Sequence, residues 1–198
     1  MGLPARRPQL SPQEYLAFER ASEEKHEYAD GEIFAMSGGS LAHSELAAKM
    51  IAALAFALTG RPCRVLSSDM RVRVSPGSRY VYPDVSVVCG APLLDDEAGD
   101  TLLNPILIVE VLSDSTEAYD RGDKFIRYRA LPSLRDYVLV SQREPRIEVF
   151  SRLPDESWNL RTYGPGEHVT LPSLECSIAV DPVYAGVFDA LHGAETPR

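Results

Sequence analysis

Lysine is the scarce cation of this chain: among 20 lysines and arginines in 198 residues, only Lys25, Lys49 and Lys124 are lysine. Arginine is the ordinary surface cation here, so each lysine merits individual attention. Cysteine is sparse as well. Cys63, Cys89 and Cys176 are odd in number and widely spaced, with no C-x-x-C pair. That pattern argues against structural zinc and favours buried, reduced thiols. The histidines His26, His43, His168 and His192 form no H-x-x-x-H or H-E-x-x-H cluster, which excludes a zinc-protease helix. No apolar run approaches the ~18 residues that cross a bilayer, and none of signal-peptide type follows Met1. The expectation is a cytoplasmic protein with no membrane partner.

What is present fits one globular unit. A hydrophobic content of 44% and a charged content of 25% support a sizeable core over residues 1–198, with 1–10 expected to be poorly ordered. The formal charge of −9 argues against a coat of positive charge for nucleic acid. The distribution is uneven, however. Residues 61–82 carry Arg61, Arg64, Arg71, Arg73 and Arg79 against the single acid Asp69, and residues 117–152 hold seven arginines and Lys124 against six acids. A basic face on an acidic body and arginines scattered over the surface are equally compatible with this pattern.

Local signals set the order of elements. Ser11-Pro12-Gln13-Glu14 is a capping box with proline at the first helical position, predicting a helix to about Ser22. Asp30-Gly31 inside 27–34 marks a hairpin turn. Ser40 caps a long apolar helix that ends near Gly60, with His43, Ala47, Met50 and Leu54 on one face. Strands are predicted at about 63–67, 71–75, 81–89 and 106–112. A turn over 113–116 leads to a helix of about 117–130, three more strands follow at about 136–141, 146–151 and 158–163, and a short helix lies near 182–191. The order predicts an α/β domain with a mixed central sheet flanked by helices.

Two of these strands carry the chemistry. Tyr82-Pro83-Asp84-Val85-Ser86-Val87-Val88 and Ile106-Leu107-Ile108-Val109-Glu110-Val111-Leu112 each place one carboxylate among apolar neighbours. A buried carboxylate costs several kcal/mol unless it is paired, protonated or bound to a cation. Two on neighbouring strands repel each other, and a divalent metal is the common remedy. On the following helix Asp120, Lys124 and Tyr128 share one edge at spacings of four, so if that helix packs across the sheet its lysine can reach over the strand ends.

The ordered series of motifs resembles the PD-(D/E)XK nuclease superfamily and, within it, the Uma-two family of restriction-endonuclease-like proteins. The resemblance runs from Glu27–Glu32 and His43 through Ser67–Arg73, Tyr82-Pro83-Asp84-Val85, Pro105 and Glu110-Val111-Leu112-Ser113. It continues over Tyr119–Phe125, Tyr128 and Leu131–Tyr137. It implies a restriction-endonuclease-like fold and metal-assisted hydrolysis of DNA. Asp84, Glu110 and the backbone carbonyl of Val111 would hold Mg²⁺ (Mn²⁺ as substitute). Where the superfamily usually places a lysine, two residues after the glutamate, this chain has Leu112. The resemblance implies that Lys124 supplies the ammonium instead. Tyr128 would hydrogen-bond Lys124 or a metal-bound water, and Asp69 and His43 are accessory candidates at the rim.

Each role has a structural alternative. Asp84 is also a plausible turn residue after proline, and Glu110 a buried ion-pair partner of an arginine such as Arg127. Lys124 can pair with Asp120 on a solvated helix face. His43 can be a satisfied histidine near a helix start, Asp69 a turn cap, and Glu27 and Glu32 mere flanks of a hairpin. At the level of function, the alternative is a non-catalytic binding or regulatory module that keeps the fold. RNA is the less favoured substrate, and a homodimer is what the resemblance implies for cutting two strands.

Overall fold

Residues 9–36, 38–75, 79–113 and 117–188 are described by the computed structural model of the chain. The expectations for residues 1–8, for 114–116 of the turn and for the tail beyond 188 lie outside them. Among the described residues no helix is long and apolar enough to cross a membrane.

Ser11 caps α1 (Pro12–Ala21) as expected: its hydroxyl accepts from the Glu14 N–H, and the Glu14 carboxylate accepts from the Ser11 N–H at 2.7 Å. The helix lays Tyr15 and Leu16 on Tyr28 and Tyr80, forming a small separate core. The next two strands, β1 (His26–Ala29) and β2 (Glu32–Ala35), turn through Asp30 and Gly31 at φ +49° and +98°. Both residues are left-handed, as a two-residue hairpin turn of matching twist demands. Ser40 caps α2 (Leu41–Ala57) by accepting from the His43 N–H.

Two sheets follow, where one central sheet was expected. In the first, β2, β1, β5 (Arg79–Val81), β4 (Arg71–Ser75) and the short β7 (Thr101–Leu102) lie in that order. The second is the mixed sheet β11-β10-β9-β8-β6-β3. It contains β3 (Cys63–Ser67), β6 (Val85–Cys89), β8 (Leu107–Leu112), β9 (Asp136–Ser141), β10 (Ile147–Arg152) and β11 (Trp158–Tyr163). The central pair β8–β9 is parallel, and β6 runs antiparallel to β8. The predicted strand 81–89 is therefore two strands in two sheets. Pro83 has no N–H to give a ladder and holds Tyr82 in extended backbone, so the chain crosses from one sheet to the other over Tyr82-Pro83-Asp84.

Alternation along β6 and β8 then builds both cores. Val85, Val87, Val109 and Val111 face Leu46, Met50 and Leu54 of α2. The same core takes in a hairpin absent from the sequence reading, β12 (His168–Leu171) with β13 (Cys176–Ala179), and the short α5 (Val180–Tyr184). On the other face Val88, Ile108 and Leu112 pack on Val72, Val74 and Val81 of the five-stranded sheet. They also meet Phe125 and Tyr128 of the helix that follows β8. That helix begins as α3 (Glu117–Tyr119), widens into a π turn over Asp120–Lys124 and ends as α4 (Phe125–Tyr128).

One expectation is corrected. Cys63 and Cys89 are not reduced thiols: the β3–β6 register sets them directly opposite, and they form a disulfide, leaving Cys176 free. Of the five arginines of 61–82, for which two readings stood open, three are spent in ion pairs. Arg71 and Arg79 are buried against Asp100 and Asp30 at 2.8 and 3.0 Å, and Arg73 pairs with Asp95.

Candidate active site

Where the two sheets part, the start of β6, the end of β8, the N-terminus of α2 and the π turn enclose a cleft of about 700 Å³. Asp84 sits at its edge, in the bend just before β6. The last β6–β8 pair is Val85↔Val109, so Val111 lies beyond the ladder. Its N–H, left without a strand, donates to Asp84 Oδ2 at 2.7 Å. In extended backbone a residue's N–H and C=O share one edge of the strand, so the Val111 carbonyl belongs to the same open edge. The carboxylate is thus fixed by the backbone of the strand that bears Glu110. His43, one turn into α2, completes the hold with Nε2 at 3.2 Å from the same oxygen. That hydrogen bond raises the imidazole above its ordinary value, against the opposing effect of burial.

Glu110 lies on the other face of β8, 4% exposed. Its Oε1 accepts from Lys124 Nζ at 2.8 Å and from the Tyr128 hydroxyl at 2.8 Å. Burial nevertheless dominates its titration and pushes the carboxyl up to about 8; Lys124 opposes the shift, and Asp84 and Asp120 add to it. Lys124 is itself 8% exposed. Burial alone would lower its pKa, but Glu110, Glu27 and Asp120 together hold it above the ordinary lysine value. Asp120 Oδ1 stands 3.5 Å from Nζ and Glu27 Oε1 3.9 Å. One ammonium thus serves three acids.

The structure brings Asp84, Glu110, Val111, Lys124 and His43 to this cleft. Tyr128 does not line it: it is buried in the core behind Glu110, and its hydroxyl donates to Glu110 rather than to Lys124. Asp69 is not at the rim. It is exposed in the turn between β3 and β4, where Lys25 Nζ approaches it to 2.5 Å. Arg127, the rival partner for Glu110, donates instead to the Tyr119 hydroxyl at 2.8 Å.

Sequence reasoning missed two features. Glu27 is more than a hairpin flank, since its strand carries it from the other sheet to within reach of Lys124. Gln142, just past β9, donates to the Leu112 carbonyl at 2.7 Å and accepts from Ser40 Oγ at 2.6 Å, tying the end of β8 to the cap of α2. No pattern in the sequence announces either, because both depend on how separate elements converge.

Comparison with known proteins bears on this arrangement. Residues 12–181 match the family model described as "Uma2: Putative restriction endonuclease". The chain is 41% identical to "Uncharacterized protein slr1290" of Synechocystis sp. (strain ATCC 27184 / PCC 6803 / Kazusa) over 180 residues, covering 91% of this chain and 94% of that one. It is 35% identical to "Uncharacterized protein sll1609" of the same organism over 151 residues, 76% of this chain and 85% of the other. Among solved structures, one described as "a putative nuclease belonging to DUF820" from Anabaena variabilis ATCC 29413 superposes with a TM-score of 0.72. It has 17% identity and covers 90% of this chain and 99% of that one. The fold is restriction-endonuclease-like, and the chain belongs to the Uma2 family.

Proposed function

We propose that this protein is a Mg²⁺-dependent nuclease that hydrolyses phosphodiester bonds of DNA. The observation that carries the reading is the buried Lys124–Glu110 contact of 2.8 Å in the cleft that Asp84 also lines. A structural ion pair needs one acid per cation. Here four acids, Glu27, Asp84, Glu110 and Asp120, line the cleft beside Lys124, His43 and Arg143, and once Glu110 gives up its proton the acids outnumber the cations, which suits a bound metal ion.

The donor set suits Mg²⁺. Among the described residues, no three His, Cys, Asp or Glu side chains form a ready metal cage. Mg²⁺ needs none: it takes one or two carboxylates, keeps several waters and draws further oxygens from substrate phosphates. Asp84, Glu110 and the Val111 carbonyl would hold it. When bound, the ion supplies Lewis acidity to the scissile phosphate and acidity to a water.

The chain's own residues do the rest. Tyr128, donating to Oε1, fixes the Glu110 carboxylate in one rotamer. The Val111 N–H and His43 do the same for Asp84, leaving Oδ1 directed elsewhere. Lys124, anchored by three acids, presents an ammonium that orients the attacking water or offsets charge growing on the phosphate oxygens. Cutting both strands of a duplex would take two copies of the chain.

Cleavage of plasmid or branched DNA is expected to require Mg²⁺ and to vanish in Asp84→Ala and Glu110→Ala. Robust cleavage by both variants would remove this site assignment. One observation favours the inert alternative: Glu110 already has two partners without a metal. Calorimetric titration separates the readings, since saturable Mn²⁺ binding that is lost in Asp84→Asn opposes an inert module.

A further inference from the structure

A second cavity of about 610 Å³ adjoins the cleft, and the hydrolysis outlined above makes no use of it. Glu27, Phe34 and Tyr119 line both, so the two are contiguous. Glu27 is also the residue that touches Lys124, which puts the second cavity beside the reacting centre.

Its chemistry is unsuited to a phosphate. Glu27, Asp30 and Glu32 outnumber Arg79 and Arg127 there. Both guanidiniums are also engaged, Arg79 with Asp30 at 3.0 Å and Arg127 with the Tyr119 hydroxyl. What the cavity does offer is aromatic surface beside fixed hydrogen-bonding groups. Phe34 leaves 51% of its surface in water although it sits in a strand, and the Arg127 guanidinium stacks 5.5 Å from the centre of the Tyr119 ring.

A nucleobase answers that combination. Its ring stacks on an aromatic side chain, and its amino groups donate to carboxylates such as Glu27 and Glu32. The volume falls in the range that encloses one small ligand. A base inside a duplex cannot enter, because its faces are covered by its neighbours and it must first leave the stack.

We infer that the strand cut by this protein presents an unpaired base next to the scissile phosphodiester, and that the cavity between the β1–β2 hairpin and Tyr119–Arg127 receives it. The inference rests on the nuclease reading and names the substrate class of that site.

The test is fluorescence anisotropy with the full chain in EDTA, where nothing is cut. A labelled perfect duplex is compared with the same duplex carrying one unpaired nucleotide. Wild type is expected to bind the second about tenfold more tightly. Phe34→Ala, a change at a half-exposed ring, is expected to reduce that preference to about twofold or less while the thermal midpoint stays put. Equal binding of the two DNAs by wild type, or a preference that survives in Phe34→Ala, overturns the inference. Cleavage in Mg²⁺ is scored separately. A chain that prefers the unpaired base but never cuts keeps the pocket and loses the nuclease. One that cuts without any preference does the reverse.

Discussion

Glu110→Gln offers the sharpest check on the buried charge cluster. Glu110 titrates at about 8 in the folded chain against an ordinary value of 4.5. Between those values the folded protein holds a proton that the unfolded chain has released. Stability from this group is therefore fully present below 4.5 and lost as pH rises through 8. The slope inside the window is about 1.4 kcal/mol per pH unit, and the whole effect is on the order of 5 kcal/mol. Against a total of roughly 5–15 kcal/mol, that is a large share. Lys124, held above 10.5, keeps its charge throughout and adds no slope. Glutamine retains an oxygen for the Tyr128 hydroxyl and for Lys124 but cannot titrate. Urea unfolding in EDTA at a series of pH values between 5 and 8.5 measures the difference. Wild type is expected to lose stability relative to Glu110→Gln by about 1 kcal/mol per pH unit. Parallel curves, or a wild type that gains on the variant as pH rises, would refute the reasoning that burial governs this carboxyl.

Four further outcomes follow from the same geometry. Under the proposed metal role of Glu110, Mn²⁺ would displace its proton, so the affinity by calorimetry is expected to rise by up to about tenfold per pH unit below 8 and to flatten above. Lys124→Met is expected to lower single-turnover cleavage by about 10²–10³-fold, and an unchanged rate would take the ammonium out of the chemistry. Tyr128→Phe deletes a buried donor at 2.8 Å from Glu110 and is expected to cost about 1–3 kcal/mol in urea unfolding at pH 8.5, where the carboxylate is charged. Reduction of Cys63–Cys89, which closes a loop at a sequence separation of 26, is expected to destabilise the fold by about 3 kcal/mol with the unfolding cooperative in both states.

Elements whose signal is local were readable in the sequence. The Ser11 capping box, the Asp30-Gly31 turn and the Ser40 cap each depend on a few adjacent residues, and each stands where the pattern puts it. The β6 and β8 stretches, rich in β-branched residues, were legible for the same reason. What depends on meetings between distant segments was not. The partition into two sheets turns on Pro83, visible as a residue but not as a crossing. The disulfide turns on the β3–β6 register, which no spacing of 26 residues announces. The hairpin β12–β13 has four-residue strands beside Gly164-Pro165-Gly166, too short for period-two alternation to rise above its turns. At the site, Asp84 and Glu110 stood out because each is a charge among apolar neighbours, and Lys124 because lysine is scarce and the resemblance implies its role. Glu27 and Gln142 did not, because polar residues at a strand or loop are unremarkable until a third element arrives beside them.

The position of the lysine has a packing explanation. Leu112 follows Glu110 by two residues on the same strand face, and it is 4% exposed in the core with Ile108, Phe125 and Tyr137. An ammonium there would lie among apolar groups, and the carbonyl of the same residue is taken by Gln142. Burying an unpaired cation costs several kcal/mol, so this core has room for a leucine and none for a lysine. The helix after β8 offers another approach. Asp120 and Lys124 bound its π turn, a local widening that is common at functional sites. The Tyr137 hydroxyl donates to the Asp120 carbonyl at 3.1 Å, which pins the turn to β9, while Tyr128 four residues on reaches Glu110. The ammonium therefore comes to the carboxylate from above the strand rather than along it, and the strand face below is free to be filled as core. Two requirements that compete in β8, a dry sheet and a cation beside Glu110, are met by separate elements.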